Sequence, residues 1–293
     1  MRRCTVLLAL ILLCTLIQAQ DVKKIEADLM KQLEDPTQVY GNNKEAGKYY
    51  DIRGFRMYAE TYGNGEPLLI IHGNGGSINN FIYQIPYFSQ HYKVIVADSR
   101  AQGKSIDLRD SLTYEMMADD YAALLTEMKI DSAYVIGWSD GGIDGLLLAM
   151  RHPEKVKKLA ITGANLVPDE SAVPKEIWDQ FRPVKEQLQA KPNKTIQEKA
   201  QLKLLTLLCD QPHITDAQLK TINCPTLVIG GDHDVIKVEH TFHIYSQLPK
   251  AYLWILPNSG HSTPLVYKDM FNQRVDLFFN TPYRTFDTQS RFF

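Results

Sequence analysis

The sequence predicts an α/β fold in which a mostly parallel central sheet is flanked by helices and carries a small helical cap insertion. Three observations lead to this prediction. The 293 residues are 44% hydrophobic and 23% charged, which is a globular composition with enough apolar residues for a full core. Six of the eight strand-like runs have continuous apolar centres, as strands buried on both faces do. Helical patterns separate several of these runs, and such alternation favours a doubly wound sheet.

The strand-like runs and the helical patterns follow one another along the chain. In order, the predicted strands lie in KYYDIRG, FRMYAETYG, PLLIIHG, KVIVADSR, AYVIGWS, KLAITGAN, PTLVIGGDHD and AYLWILPNSGH. Between them, residues 113–128 and 142–151 have the apolar spacing of helices, and Pro153 stops the second helix. We therefore expect the sheet and its helices to occupy residues 49–279, with a polar C-terminal tail at residues 280–293.

The first twenty residues have the pattern of a secretory signal peptide. Arg2 and Arg3 precede an apolar run at residues 5–17, and small or polar residues follow. The apolar run is shorter than the about 20 residues that span a bilayer. We expect cleavage near Ala19 or Gln20, a periplasmic or extracellular location and no stable membrane insertion afterwards. Residues 21–48 form a predicted N-terminal helical extension.

One long interruption of the strand–helix alternation lies between the sixth and seventh strand-like runs. Residues 168–221 contain no convincing strand, and two amphipathic helical patterns are separated there by a break at Lys191. This segment predicts a small helical cap over one end of the sheet. The alternative is a pair of ordinary crossover helices.

Charge and cysteine content narrow the class of protein. The formal net charge is −2, so the basic footprint of a nucleic-acid-binding protein is absent. Two cysteines, Cys209 and Cys224, follow the signal segment. In an exported protein they could form a disulfide, and buried free thiols are the alternative.

The run GWSDGG at residues 137–142 is the first candidate for chemistry. It directly follows a predicted strand and precedes a predicted helix, which is the context of the G-x-S-x-G nucleophile elbow. Such a turn is sharp enough to strain the backbone of its serine, and the neighbours two residues away must be small. Gly137 and Gly141 meet this requirement. The pattern predicts that the Ser139 hydroxyl stands clear at the carboxyl edge of the sheet.

A serine nucleophile needs a general base, and the base needs an orienting carboxylate. The last two predicted strands end in GGDHD and SGH, which place acids and a histidine at the same edge of the sheet. We predict His261 as the base. Asp232 and Asp234 compete for the orienting role, and Asp232 comes first after its strand and is the better turn residue.

Two further sets of residues have weaker signals. His240 and His243 have helical spacing but no evident third ligand, so we predict packed or surface residues and no metal site. For the oxyanion we expect the backbone N–H of Asp140 at the start of its helix, and a second donor from the loop HGNGG at residues 72–76. Asn74 is the predicted second donor, and Gly75 is the alternative.

The combination of these motifs resembles the α/β-hydrolase superfamily over residues 48–279. The HG loop, the segment DSRAQGKS at residues 98–105, the elbow, the GDHD strand end and the late GH appear in the family's order. The resemblance implies a triad of Ser139, Asp234 and His261. Ala101 stands where the family usually has a glycine. The elbow, followed by GAN at residues 163–165, is similar to the biphenyl hydrolase-like branch, which includes valacyclovir hydrolase.

The resemblance implies a serine hydrolase that cleaves carboxylic esters of a small molecule and needs no cofactor, and the signal-peptide pattern adds export to this expectation. Asp140, Gly75 and Trp138 are the expected substrate-binding residues. In the branch named above, the acid after the nucleophile can hold an α-ammonium group of the substrate, whereas a carboxylate there is also stabilised by the helix dipole alone. Lactones, thioesters and C–C bonds remain open as substrates, and so does a ligand-binding relative with little turnover.

Overall fold

An eight-stranded sheet forms the centre of the described residues and confirms the predicted fold class. The strands are β1 (Gly47–Ile52), β2 (Phe55–Tyr62), β3 (Glu66–Ile71), β4 (Tyr92–Ala97), β5 (Ala133–Trp138), β6 (Val156–Thr162), β7 (Thr226–Gly231) and β8 (Ala251–Leu256). Their spatial order is β1-β2-β4-β3-β5-β6-β7-β8. The pairs β1–β2 and β2–β4 are antiparallel, and every other pair is parallel.

This computed structural model describes residues 39–287 and 289–292. The predicted signal peptide and most of the predicted N-terminal extension lie outside these residues. Within the described part of the chain, no helix has the length and apolar character needed to cross a bilayer. Cys209 and Cys224 are both free thiols.

Helices cover both faces of the sheet. They are α1 (Gln84–Phe88), α2 (Tyr114–Glu127), α3 (Asp140–Arg151), α4 (Lys175–Ala190), α5 (Ile196–Asp210), α6 (Asp216–Leu219), α7 (Val238–Gln247), α8 (Thr263–Val266) and α9 (Lys268–Asn280). Successive strand residues point to opposite faces. Thus Leu69 and Ile71 pack in the cluster that contains α2 and α3, while Leu68 and Ile70 pack in the cluster that contains α1 and α9. Burial on both faces explains the continuous apolar runs.

The chain between β6 and β7 contains a long excursion whose two ends are joined by a backbone hydrogen bond. The Ile214 backbone N–H donates to the Leu166 carbonyl oxygen at 2.9 Å, and α4 and α5 lie between these two residues. The two helices pack against each other, and a small apolar cluster joins them to the loop after β7. Its buried members are Ala172, Val173, Trp178, Cys209 and Ile236. The sequence did not predict the short helix α6.

The segment DSRAQGKS after β4 is held by a buried ion network. The guanidinium of Arg100 donates two hydrogen bonds to Asp120, at 2.6 and 2.5 Å, and one to Asp107 at 2.6 Å. It also lies over the Phe55 ring, 3.9 Å from the centroid. Ala101 follows with φ 62°, a left-handed conformation that favours glycine. This value explains why the family usually has a glycine there.

Candidate active site

The elbow places Ser139 between β5 and α3 in a strained conformation. Ser139 has φ 58° and ψ −121°, which L-residues rarely adopt. A Cβ at Gly137 would lie 2.1 Å from the Gly141 carbonyl oxygen, and a Cβ at Gly141 would lie 2.1 Å from the Ile71 carbonyl oxygen. Side chains at these two positions are therefore excluded by backbone contacts, which accounts for both glycines of the motif.

The structure brings Ser139, His261 and Asp234 together. His261 Nε2 lies 2.9 Å from Ser139 Oγ, and His261 Nδ1 lies 2.6 Å from Asp234 Oδ1. Because an ionised carboxylate only accepts hydrogen bonds, it assigns the proton to Nδ1 and leaves Nε2 free to accept the serine proton. Asp232 is used differently, since its carboxylate accepts the backbone N–H groups of Asn258 and Ser259, each at 2.9 Å.

Two features that were not predicted from the sequence help to position His261. The indole N–H of Trp138 donates to the His261 carbonyl oxygen at 2.9 Å. Gly163, at the end of β6, has φ 66°, and a Cβ there would lie 2.6 Å from His261 Cε1. The glycine of the GAN run is the sequence signal that could have pointed to this second contact.

The HGNGG loop passes close to the nucleophile. A Cβ added at Gly73 would lie 3.0 Å from the Ser139 Cβ. The Gly75 N–H donates to Gln102 Oε1 at 2.6 Å, so it is already engaged. In contrast, the backbone N–H groups of Asn74 and Asp140 have no hydrogen-bond partner among the residues that the structure describes. These are the two groups predicted to receive an oxyanion.

His72 connects the HGNGG loop to the segment after β4. It is buried, its Nδ1–H donates to the Gly73 carbonyl oxygen at 2.8 Å, and its Nε2 accepts the Ser99 N–H at 2.9 Å. Both ring nitrogens are thus used by backbone groups in the neutral form. Burial lowers the pKa of His72, which is consistent with a structural role.

Asp140 lies on the wall of the site with its carboxylate already bound. The residue is 2% exposed. Its Oδ2 accepts a hydrogen bond from the Asn74 side-chain amide at 2.8 Å. Burial raises the pKa of Asp140 to about 6. Asp144, one turn further along α3, is fully buried with no partner for either carboxyl oxygen within the described chain.

A cavity of about 510 Å³ opens above Ser139. Its floor is polar and its cap side is apolar, and it includes the three residues predicted to bind substrate. The lining residues include Gly75, Trp138, Asp140, Trp178, Phe181 and His261. Among the described residues, the wall includes no lysine or arginine, and Asp140 and His261 are its ionisable side chains.

The two histidines of α7 do not form a metal site. His240 is buried and its Nε2 accepts the Leu166 N–H at 3.0 Å, while His243 pairs with Asp216 at 2.8 Å. Among residues 39–287 and 289–292, no group of three potential ligands could hold a metal ion.

Comparison with known proteins defines the class. The family model for the alpha/beta hydrolase fold matches residues 66–220, and the chain belongs to this family. It is 25% identical over 264 residues to the human serine hydrolase BPHL, covering 83% of this chain and 89% of that protein. This relative confirms the resemblance found in the motifs.

Solved structures show the same fold. The enol-lactonase from Burkholderia xenovorans is 18% identical, with a TM-score of 0.69 and coverage of 80% of this chain and 100% of the enzyme. A meta-cleavage product hydrolase from Pseudomonas fluorescens is 22% identical, with a TM-score of 0.67 and coverage of 81% and 99%. Similar frameworks therefore serve hydrolases whose names indicate different bonds.

Proposed function

We propose that the protein is an exported serine hydrolase that cleaves carboxylic esters of a small molecule through an acyl-enzyme on Ser139. The observation that carries this proposal is the hydrogen-bonded series from Asp234 through His261 to Ser139 at the floor of the cavity. A serine so placed has a base within proton-transfer distance. Export rests on the signal-peptide pattern alone.

The geometry supports a two-step reaction. Ser139 Oγ attacks the ester carbonyl carbon while its proton passes to His261 Nε2. The oxyanion accepts hydrogen bonds from the N–H groups of Asn74 and Asp140. When the intermediate collapses, the C–O bond breaks and His261 returns the proton to the leaving alcohol. Water then attacks the acyl-enzyme and gives a proton to His261. The bond between Ser139 Oγ and the acyl carbon breaks, His261 returns the proton to Ser139 Oγ, and the carboxylic acid is released.

The lining of the cavity favours uncharged substrates. The described residues of the wall offer an anionic group no lysine or arginine, and the carboxylate of Asp140 would repel its negative charge. Trp178 and Phe181 offer apolar surface to an acyl or alkyl group. We therefore propose a neutral ester of moderate size, and lactones and thioesters without a negative charge fit the same chemistry.

A substrate with an α-ammonium group is the second candidate. Asp140 is an acid on the cavity wall, and its pKa of about 6 leaves it ionised at neutral pH. Against this role, Asp140 is 2% exposed and its carboxylate already accepts a hydrogen bond from Asn74. An ammonium group would have to compete with this donor.

Two matched aryl esters test the proposal, one a short alkanoate and the other its α-amino counterpart. We expect wild type to cleave the alkanoate and Ser139→Ala to be inactive, measured as initial rates of phenol release. A preference for the amino ester that disappears in Asp140→Asn would instead assign ammonium recognition to Asp140.

A ligand-binding relative without turnover is separated by covalent labelling. An active-site aryl phosphonate should modify wild type once, at Ser139, and leave Ser139→Ala unmodified, as read by intact mass and peptide mapping. Binding of an ester analogue without any labelling of wild type would contradict the enzyme proposal.

A further inference from the structure

Three consecutive residues of the HGNGG loop are held in different ways. The Gly73 carbonyl oxygen accepts from His72, and the Gly75 N–H donates to Gln102. Between them, the Asn74 N–H makes no hydrogen bond within the described chain. The peptide that should face the oxyanion is therefore held through the Asn74 side chain, whose amide donates to Asp140 at 2.8 Å.

The Asn74 amide also reaches the cap. Its Nδ2 lies 3.3 Å from the carbonyl oxygen of Leu204, a residue of α5. One side-chain nitrogen thus contacts both the helix that starts at the nucleophile and a helix of the cap. A shift of either helix changes the position of Asn74 and hence of its backbone N–H.

The charge of Asp140 makes its hydrogen bonds important for the reaction. A carboxylate beside the nucleophile opposes the negative charge that develops on the substrate oxygen. The Asn74 amide donates a hydrogen bond to this carboxylate. This bond fixes the direction of the carboxylate and compensates part of its charge.

We propose that the side chains of Asn74 and Asp140 form a positioning pair, which sets the Asn74 N–H for the oxyanion and makes its placement depend on the cap helix α5. This inference rests on the function proposed above. It assigns Asp140 a partner within the protein and makes both side chains positioning residues, while Ser139 and His261 remain the catalytic residues.

An exchange of the two side chains tests the pair. Asn74→Asp keeps the shape of residue 74 but sets two carboxyl groups against each other. In Asn74→Asp/Asp140→Asn the amide and the carboxylate change places, so one hydrogen bond can form again with the opposite polarity. Each variant is assayed with the neutral aryl alkanoate, and kcat and KM are determined separately.

We expect Asn74→Asp to lower kcat about 100-fold with KM changed less than about threefold, because a misplaced donor affects the transition state more than the bound ester. The kcat of the double variant should be at least about tenfold higher than that of Asn74→Asp. A double variant as slow as, or slower than, Asn74→Asp would overturn the pair.

Alanine variants provide a second test that introduces no new charge. Asn74→Ala and Asp140→Ala should each lower kcat about tenfold, and the double variant should be no slower than the slower single variant. Losses that multiply would show independent roles and would overturn the inference. Thermal unfolding midpoints establish that each variant is folded.

Phosphonate labelling separates the failure of this inference from the failure of the proposed function. Wild type that is labelled at Ser139 and hydrolyses the ester, together with an exchange that restores nothing, would refute the positioning pair alone. Wild type that is neither labelled nor active would refute the proposed function and the pair with it.

Discussion

Ser139 combines a strained backbone with a reactive position. Its φ of 58° and ψ of −121° place its backbone in a conformation that L-residues rarely adopt. Strain of this kind costs on the order of 1–3 kcal/mol and persists only where surrounding contacts impose it. Here the close approaches of Gly137 and Gly141 to neighbouring backbone impose it.

Two inactive variants of Ser139 should therefore differ in stability. Ser139→Ala keeps the Cβ and its strain, whereas Ser139→Gly removes both. We expect Ser139→Gly to be more stable than Ser139→Ala by about 1 kcal/mol, despite the greater flexibility of glycine in the unfolded chain. Urea unfolding of the two variants measures the difference, and equal midpoints would argue against strain at the elbow.

Asp140 should make the stability of the protein depend on pH. Its pKa is raised by burial from 3.8 to about 6, so between about pH 4 and pH 6 the folded protein holds a proton that the unfolded chain has released. The stability contributed by this proton is lost as pH rises from about 4 to about 6, and the loss amounts to about 3 kcal/mol in the free energy of unfolding. Asp140→Asn should gain stability over wild type from pH 4 to pH 7.

A control with the opposite sign is available in Asp232. Hydrogen bonds from the Asn258 and Ser259 backbones lower the pKa of this exposed carboxyl, so its stabilisation is present above its unfolded pKa and lost on acidification. Asp232→Asn should be less stable than wild type at neutral pH, with a smaller difference in acid. Chemical unfolding at pH 2, 3, 4, 5, 6 and 7 tests both trends, because the effect of Asp232 is lost only below about pH 4. Parallel curves for Asp140→Asn and wild type between pH 4 and pH 7 would refute the first.

At the scale of the element, the turn after β4 contains a residue in a strained backbone conformation that a glycine would relieve. Ala101 has φ 62° at the position where the family usually has glycine. Ala101→Gly should stabilise the protein by about 1 kcal/mol, since relief of a left-handed alanine outweighs the entropy cost of glycine. Thermal unfolding is the measurement. The matched control is Ala122→Gly in the interior of α2, which should destabilise.

The turn after β6 controls the position of the base. A Cβ at Gly163 would lie 2.6 Å from His261 Cε1, so Gly163→Ala should displace the ring from Ser139. A displacement of about 1 Å can cost on the order of 100-fold in rate. We expect kcat to fall by about that factor while binding of an ester analogue changes little. Unaltered kcat would show that the ring position tolerates the methyl group.

Strands and the elbow were predictable because their signals are local. Burial on both faces produced the apolar runs, and contacts within a few residues required Gly137 and Gly141. The supports of the site were not predictable, since they join distant positions. The Trp138 bond to His261 and the Asn74 bonds to Asp140 and Leu204 depend on how loops meet after folding. The short helix α6 was missed because four residues have too little periodicity.

For the molecule as a whole, the sheet and the cap have separate tasks. Strands β5 to β8 are neighbours in the order β5-β6-β7-β8, and all of these pairs are parallel. The carboxyl ends of β5, β7 and β8 therefore lie at the same edge of the sheet, and the loops that follow them carry Ser139, Asp234 and His261. The cap contributes apolar wall residues such as Trp178 and Phe181. The three triad residues thus follow strands of the sheet, whereas much of the cavity wall belongs to an insertion whose course could not be predicted from the sequence.

The hydrogen bond between Ile214 and Leu166 joins the two ends of the cap, so that the cap could be replaced as a unit. Because the excursion at residues 167–213 starts and ends at this contact, a short turn could replace it without separating β6 from β7. Loop closure depends only weakly on length, so a chain shortened in this way should still fold and bring Ser139 and His261 together. Exchange of the cap would accordingly change selectivity while the triad stays in place, and it would also change the rate wherever the contact between Leu204 and Asn74 is lost.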